Sequence, residues 1–191
     1  MYIYILQGDD VAEKSDSVST AMSVRMAQLK RRQLQGKDKW PCKVAPGLFI
    51  GAVGAARNLK ALRKRGITHI VNASPIVPCY FRDAPSPGTI QYHCVPIYDD
   101  ESADLLSHLD QTVNFIAEGR KTGAVLVHCF AGQSRSAALV MGYLMCKEGM
   151  TLENALKMVS LARQDAQPNQ GFMHQLAVYE RTLRDVHLLH T

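Results

Sequence analysis

Residues 124–145 constrain the fold more than any other segment of this sequence. Residues 124–127, Ala-Val-Leu-Val, form an apolar run of the kind that makes a short buried strand. Gly132 then permits a tight loop, and the apolar residues that follow have the spacing of a helix that buries a broad face. Ser134 is the expected N-cap of that helix. The segment therefore predicts a strand, a tight loop and a helix N-terminus in direct succession.

The tight loop carries a cysteine and an arginine, Cys129 and Arg135. The backbone amides of residues 130–135 can converge on one point there, and the helix dipole adds its positive end, so an oxyanion should bind. Cys129 would lie beneath the anion, in a field that favours the reactive thiolate. Arg135 offers a planar fork of donors that matches two phosphate oxygens. The loop is therefore predicted to bind phosphate above a nucleophile.

His128-Cys129, five further residues and Arg135-Ser136 resemble the active-site loop of the cysteine-based protein tyrosine phosphatase superfamily. Ala131-Gly132 and Ser134-Arg135-Ser136 narrow the resemblance to small dual-specificity phosphatases. The resemblance implies a phosphocysteine mechanism with no metal and no other cofactor. It implies Cys129 as nucleophile and a substrate-binding loop formed by Phe130, Ala131, Gly132, Gln133, Ser134 and Arg135.

The resemblance also implies a general acid in a Pro-x-x-Asp pattern upstream of the cysteine. Residues 96–99, Pro-Ile-Tyr-Asp, fit this pattern on a loop between a predicted strand near Tyr92 and a helix predicted over residues 104–119. Asp99 is therefore the expected general acid and base, and Asp100 is the alternative. Capping of the next helix is the purely structural role open to both aspartates.

Three further residues receive roles from the resemblance or from their position. Ser136 resembles the family hydroxyl that hydrogen-bonds the sulfur and helps the phosphoenzyme to break down, although a polar residue in a first helical turn also has a structural explanation. His128, at a strand end, is expected to orient the loop rather than exchange protons. Asn169 matches the family segment that packs behind the loop, and helix capping would also explain it.

Strand and helix patterns alternate along residues 41–188. Strands are predicted over 47–51 and 68–73, near Tyr92 and over 124–128, and helices over 52–65 and 104–119 and from Ser134, Thr151 and Asn169. This alternation and the resemblance predict an α/β fold, with a central mixed, mostly parallel sheet of about five strands and helices on both faces. We expect one catalytic domain over 41–188, with a proline-containing loop over 75–88 near the active site.

Residues 1–40 are predicted to be an N-terminal extension with a basic amphipathic helix over residues 17–35. Packing against the catalytic domain, docking to a kinase and binding to a membrane surface are the alternatives for this helix. The apolar run at residues 1–6 is too short to cross a bilayer, and we expect no membrane span.

Charge and cysteine content bound the partners and the compartment. The formal net charge of +5 suits phosphorylated, anionic substrates, and no nucleic-acid partner is expected. The five cysteines have no paired spacing, which favours a reducing compartment: the cytoplasm, with the nucleus as a second location. Cys94 is expected to be either a small buried hydrophobic residue or a redox partner of Cys129.

The expected substrates are proteins phosphorylated on tyrosine, serine or threonine, with a protein kinase as one candidate. The side chains of residues 130–134 are uncharged, which disfavours phosphoinositides. A phosphoinositide or other non-protein phosphomonoester phosphatase remains the alternative enzyme. A catalytically weak phosphoprotein-binding module is the alternative of another class, but Cys129, Arg135 and Asp99 are all present and favour an enzyme. The oligomeric state is left open.

Overall fold

A computed structural model describes residues 38–83 and 89–188, with side chains through Asp185. The amphipathic helix predicted over residues 17–35 lies outside the described residues. So do the last residues of the predicted proline-containing loop, 84–88.

One sheet of five strands forms the centre of the fold. Its spatial order is β1-β2-β5-β3-β4; β1 and β2 are antiparallel, and the other three neighbouring pairs are parallel. The predicted mixed, mostly parallel sheet is therefore confirmed. The strands are β1 (Cys42–Ala45), β2 (Leu48–Gly51), β3 (Ile67–Asn72), β4 (Gln91–Cys94) and β5 (Ala124–His128).

Strand β1 has no counterpart among the predicted elements. It pairs with β2 through a hairpin turn at Pro46 and Gly47, where Gly47 has a φ of 71°. Proline followed by a glycine with positive φ is the combination that a type II turn favours. The Pro-Gly pair between two short runs was thus the signal for this hairpin in the sequence.

Helices cover both faces of the sheet, as predicted. The buried side chains of one face pack with α3, α4, α5 and α6, and those of the other face form a smaller core with α1 and α2. Within the described residues, no helix is long and apolar enough to cross a membrane. The helices are α1 (Val53–Ala56), α2 (Leu59–Lys64), α3 (Leu106–Thr122), α4 (Arg135–Glu148), α5 (Leu152–Ala162) and α6 (Gln170–Leu188).

The single helix predicted over residues 52–65 is wrong, because the segment forms two short helices. The break falls at Arg57 and Asn58. The Asn58 side chain accepts a hydrogen bond from the Ala61 amide at 3.1 Å and so starts α2 as its N-cap. Asparagine competes in this way with a continuous helix because its short side chain bonds nearby backbone groups.

The parallel strands bring four chain segments to one edge of the sheet. Gly51 and Asn72 are both in register with His128, and Cys94 is in register with Asn72. The residues that follow these strands therefore leave the sheet side by side. The loop at Cys129 emerges in the middle of this edge, which is where open α/β sheets bind their ligands.

We predict that Leu109→Ala lowers the free energy of unfolding by about 2–5 kcal/mol, because Leu109 on α3 is fully buried in the larger core and its truncation leaves a cavity. Leu161→Ala is the matched control, since Leu161 on α5 is 78% exposed, and its effect should stay within about 0.5 kcal/mol. Urea unfolding of both variants measures the difference. Equal effects would contradict this assignment of the core.

Candidate active site

The sulfur of Cys129 lies at the base of the loop that follows β5. Cys129 is fully buried, and its Sγ accepts a hydrogen bond from the Gly132 amide at 3.1 Å. The Ser136 hydroxyl oxygen lies 3.4 Å from the same sulfur. The amide and the hydroxyl can both donate to a thiolate, and the N-terminus of α4 adds its positive potential.

The carbonyl oxygens of this loop, residues 129–134, bond to groups behind the loop. The Phe130 carbonyl accepts from the Val53 amide at 3.2 Å, and the Gln133 carbonyl accepts from the Gln167 amide at 3.0 Å. The carbonyls of Ala131 and Gly132 accept from the Arg163 guanidinium at 2.9 and 2.6 Å. Four consecutive carbonyls are therefore held outwards.

Outward carbonyls turn the amides of the loop towards its interior. The C=O and N–H of one trans peptide group point in opposite directions, so the amides of residues 131–134 face away from the scaffold. The Gly132 amide, which donates to Cys129 Sγ, shows this direction. Convergent amides at a helix N-terminus form a binding site for an oxyanion, directly above the sulfur.

Arg163, which fixes two of these carbonyls, was not among the predicted site residues. It lies just after α5, is 6% exposed, and also forms an ion pair with Asp38 at 2.7 Å. Arg163 follows the loop by about thirty residues, and no local motif marks an arginine that bonds distant carbonyls. Only the fold brings it behind the loop.

Gly132 allows the loop to pass close to β2. Its φ is +69°, and a Cβ at this position would lie 2.7 Å from the carbonyl carbon and oxygen of Gly51. Both the left-handed backbone and the contact with main-chain atoms exclude a larger residue. The tight loop expected at Gly132 is thus present, and it is packed against the sheet.

Arg135 connects the Cys129 loop to the segment that carries Asp99. It is the first residue of α4 and is 7% exposed. Its Nη1 donates to the Ile97 carbonyl at 3.4 Å, and its Nε lies 3.5 Å from Asp99 Oδ2. Among the described residues, Nε has no hydrogen-bond partner. A buried guanidinium with donors still available lies beside the site for an oxyanion.

The two candidate aspartates have different surroundings. Asp99 Oδ1 accepts a hydrogen bond from Asn169 Nδ2 at 3.1 Å, while Asn169 Oδ1 caps α6 by accepting from the Phe172 amide. Asp100 instead accepts from the amide and hydroxyl of Ser102, and these bonds hold the pKa of Asp100 below its usual value. The structure therefore brings Asp99 and Asn169, but not Asp100, into contact with the site.

His128 is fully buried behind the loop, and burial lowers its pKa to about 4, assisted by the charge of Arg135. The imidazole is therefore neutral at physiological pH. Its Nδ1 lies 3.3 Å from the Cys129 carbonyl oxygen, so this nitrogen is the protonated one and donates. This contact fits an orienting residue.

The structure confirms the predicted position of Ser134 but not the expected hydrogen bond of its side chain. Ser134 occupies the N-cap position of α4, but its side chain makes no capping bond. Its hydroxyl oxygen accepts from the Asn169 amide at 3.1 Å and so joins the loop to the start of α6.

Cys94 is exposed rather than buried, and it does not contact Cys129. Cys94 is in register with Asn72 on β3, which is in register with His128 on β5, so two strand spacings of about 10 Å in total separate it from the base of the loop. Its sulfur contacts Cys79 and Arg82 instead. A direct redox pair with Cys129 is therefore incompatible with the fold.

The described residues contain no group of three or more histidine, cysteine, aspartate or glutamate residues that could hold a metal ion. The groups that surround the anion site are the thiol of Cys129, the carboxyl group of Asp99, the hydroxyl group of Ser136 and the guanidinium of Arg135.

Known proteins resemble this chain in sequence and in fold. A family model described as dual specificity phosphatase, catalytic domain, matches residues 48–182. Dual specificity protein phosphatase 1 of Arabidopsis thaliana is 35% identical over 176 residues, which cover 91% of this chain and 86% of the relative. Other curated relatives are longer, and the chain spans 10–35% of their length.

Solved structures agree with the sequence relatives. Human DUSP28, whose crystal structure is known, is 40% identical to this chain in sequence, and the two structures superpose with a TM-score of 0.69. The match covers 75% of this chain and 95% of the DUSP28 chain. Human tyrosine phosphatase-like serine/threonine/tyrosine-interacting protein is 34% identical, with a TM-score of 0.69, and covers 75% of this chain and 97% of its own.

The family match includes four of the five strands, the Cys129 loop and the segment with Asp99. The similar structures confirm the α/β fold that the sequence predicted. The chain therefore belongs to the dual specificity phosphatase family and is a protein phosphatase.

Proposed function

We propose that the protein hydrolyses phosphotyrosine, phosphoserine and phosphothreonine in other proteins through a phosphocysteine intermediate on Cys129. The observation that carries this proposal is the orientation of the Cys129 loop. Its carbonyls bond outwards and its Gly132 amide donates to Cys129 Sγ, so the nucleophile and the phosphate-binding amides share one site.

In the first step, the thiolate of Cys129 attacks the phosphorus atom of the substrate. An S–P bond forms and the P–O bond to the substrate side chain breaks. Asp99 gives its proton to the departing oxygen, and Arg135 and the loop amides bind the phosphoryl oxygens. The ion-pair distance of 3.5 Å between Arg135 and Asp99 supports their action at one phosphoryl group.

In the second step, Asp99 accepts a proton from water, and the water oxygen attacks phosphorus as the S–P bond breaks. Cys129 leaves as a thiolate and phosphate is released. The Ser136 hydroxyl, 3.4 Å from the sulfur, can donate a hydrogen bond to the departing thiolate. His128 and Asn169 are positioning residues, because each contacts a reacting residue and neither faces the anion site with a free charge.

Phosphorylated proteins are the substrates that the loop favours. Residues 130–134 carry no charged side chain, so the loop offers no cationic side chain there that would select a highly charged inositol headgroup. A phosphoprotein-binding module without catalytic activity is the candidate outside the enzymes. It is considered because one similar structure carries the name of an interacting protein. The contact between Arg135 and Asp99 and the hydrogen bond from the Gly132 amide to Cys129 Sγ favour hydrolysis.

The proposed location is the cytoplasm, with the nucleus as a second compartment. All five cysteines lie in the described residues and are free thiols, as a reducing compartment requires. A phosphorylated protein kinase is a proposed substrate, with Lys30, Arg31 and Arg32 of the N-terminal extension as the proposed docking residues.

Cys129→Ser should abolish hydrolysis of an aryl phosphate and of phosphopeptides while it retains phosphopeptide binding, because the loop amides and Arg135 remain. Steady-state hydrolysis and calorimetric titration with a phosphotyrosine peptide measure the two properties. A wild-type protein without activity would exclude the enzyme. Wild-type activity confined to phosphotyrosine peptides would exclude dual specificity.

Asp99→Asn should lower kcat by about 10²- to 10⁴-fold, because a positioned general acid contributes a factor of that size. Asp100→Asn is the matched control, and it should keep kcat within a few-fold because the Asp100 side chain bonds to Ser102 rather than to the site. The loss should be smaller for an aryl phosphate with a good leaving group than for a phosphoserine peptide. A larger loss in Asp100→Asn would transfer the role to that residue.

Arg163→Lys should lower kcat/KM by about 10- to 100-fold, because a lysine cannot hold both carbonyls of Ala131 and Gly132 and the loop amides lose their alignment. Asp38→Asn is the control, since it removes only the ion pair with Asp38. Inhibition by inorganic phosphate reports the alignment of the loop separately from stability. Unchanged phosphate inhibition in a folded Arg163→Lys protein would contradict this role.

A further inference from the structure

Two cysteines outside the active site lie in contact beside an arginine. Cys79 Sγ and Cys94 Sγ are 3.5 Å apart. The Arg82 guanidinium donates to Cys94 Sγ at 2.9 Å and to Cys79 Sγ at 3.5 Å. Cys79 belongs to the irregular segment after β3, and Cys94 is the last residue of β4, which is an outermost strand of the sheet.

The backbone around Cys79 is fixed on both sides of the sulfur. The buried Asn72 side chain donates to the Val77 carbonyl at 2.6 Å and to Cys79 Sγ at 3.6 Å. The Arg82 amide closes a turn by donating to the Cys79 carbonyl at 3.3 Å. The contact of the two sulfurs is therefore part of the packing of this segment.

Tyr92 fixes the same segment to β4. It lies two residues before Cys94, so both side chains project from the same face of the strand. Its hydroxyl oxygen accepts from the Phe81 amide at 3.2 Å, and its ring lies 5.7 Å from the Arg82 guanidinium carbon. This cation–π contact holds Arg82 next to the sulfurs.

The two thiols differ in accessibility. Cys94 is exposed, whereas Cys79 is partly buried, and burial raises the pKa of the Cys79 thiol despite the hydrogen bond from Asn72 and the charge of Arg82. A reagent from solution therefore meets Cys94 first. The Arg82 guanidinium, 2.9 Å from Cys94 Sγ, can donate a hydrogen bond to the thiolate, which is the form that reacts.

We propose that Cys79 and Cys94 are a redox-active dithiol that a hydroperoxide converts into a disulfide, separate from the catalytic Cys129. In a reducing compartment such a disulfide is transient, and a cellular thiol of the glutathione or thioredoxin class restores the dithiol. This dithiol takes no part in phosphate hydrolysis.

The reaction has two steps that balance with one peroxide. The Cys94 thiolate attacks one oxygen of hydrogen peroxide, the O–O bond breaks, hydroxide leaves, and the sulfur is oxidised to a sulfenic acid. The Cys79 sulfur then attacks the Cys94 sulfur, an S–S bond forms, and the S–O bond breaks. The oxygen leaves as water with the Cys79 proton. In total, two thiols and one hydrogen peroxide give one disulfide and two waters.

The disulfide would join the segment after β3 covalently to the end of β4. Asp99 follows Cys94 by five residues, so the cross-link would fix the strand from which the Asp99 segment begins. To form the bond, the two sulfurs must approach from 3.5 Å to a bond length of about 2.05 Å, through rotation of the cysteine side chains.

The experiment uses the full chain with Cys129→Ser, so that neither the catalytic thiol nor phosphatase activity enters the result. Equimolar hydrogen peroxide is added, free thiols are alkylated at intervals, and chymotrypsin cuts after Tyr80 and Phe81, which separates the two cysteines. Mass spectrometry without reductant should show Cys79 and Cys94 linked, with both thiols lost at least about tenfold faster than those of Cys42 and Cys146. Added dithiothreitol should restore both thiols.

Two variants in the same background test the assigned roles. Cys79→Ser should stop at a Cys94 sulfenic acid that dimedone traps. Arg82→Gln should slow the loss of the Cys94 thiol by about threefold or more, because the neighbouring positive charge is gone. Loss of Cys94 no faster than Cys42, or sulfinic acid at Cys94 with Cys79 still a thiol, would overturn the proposal.

Discussion

The direction of the peptide groups between Cys129 and Ser134 is the constraint on which the site depends. Carbonyls that bond to Val53, Gln167 and Arg163 leave the amides no direction but the interior of the loop. The Gly132 amide donates a hydrogen bond to the nucleophile, Cys129. The neighbouring amides of the loop are oriented to donate to the bound anion. Because these groups are oriented before substrate binds, no reorganisation is needed when charge develops during the reaction.

The fold supplies each anchor from a different element. Val53 begins α1, Gln167 precedes α6, and Arg163 follows α5, so three parts of the chain meet behind one loop. The parallel register of β2, β5 and β3 brings the loop to the centre of the sheet edge. A mutation that disturbs the packing of these elements would therefore lower catalytic activity, because it would misalign the backbone of the loop.

The sequence predicted the parts of the structure that depend on local pattern. The strand, loop and helix over residues 124–148 and the alternation of elements follow from apolar periodicity, which burial enforces. The break at Asn58 was missed because a capping side chain can interrupt a pattern whose apolar spacing continues. Strand β1 was missed because its four residues include only a short apolar run.

Contacts between distant segments could not be predicted in the same way. Arg163 bonds to backbone carbonyls, which no side-chain motif in the sequence marks. Cys94 contacts Cys79 rather than Cys129 because the order of the strands in the sheet decides which strand ends are neighbours, and the sequence does not reveal that order. The Ser134 hydroxyl bonds the Asn169 amide for the same reason. Local chemistry identified the participants, and topology selected their partners.

Because the loop is anchored through its backbone carbonyls, substrate selectivity and binding of the phosphoryl group can evolve independently. The bonds from Arg163 reach main-chain atoms of Ala131 and Gly132, so they do not depend on which side chain stands at residue 131. Gln133 is exposed, and its carbonyl is likewise held through the backbone. Mutations at the rim of the loop can therefore change which phosphorylated surface fits, while the machinery that binds the phosphoryl group is inherited intact.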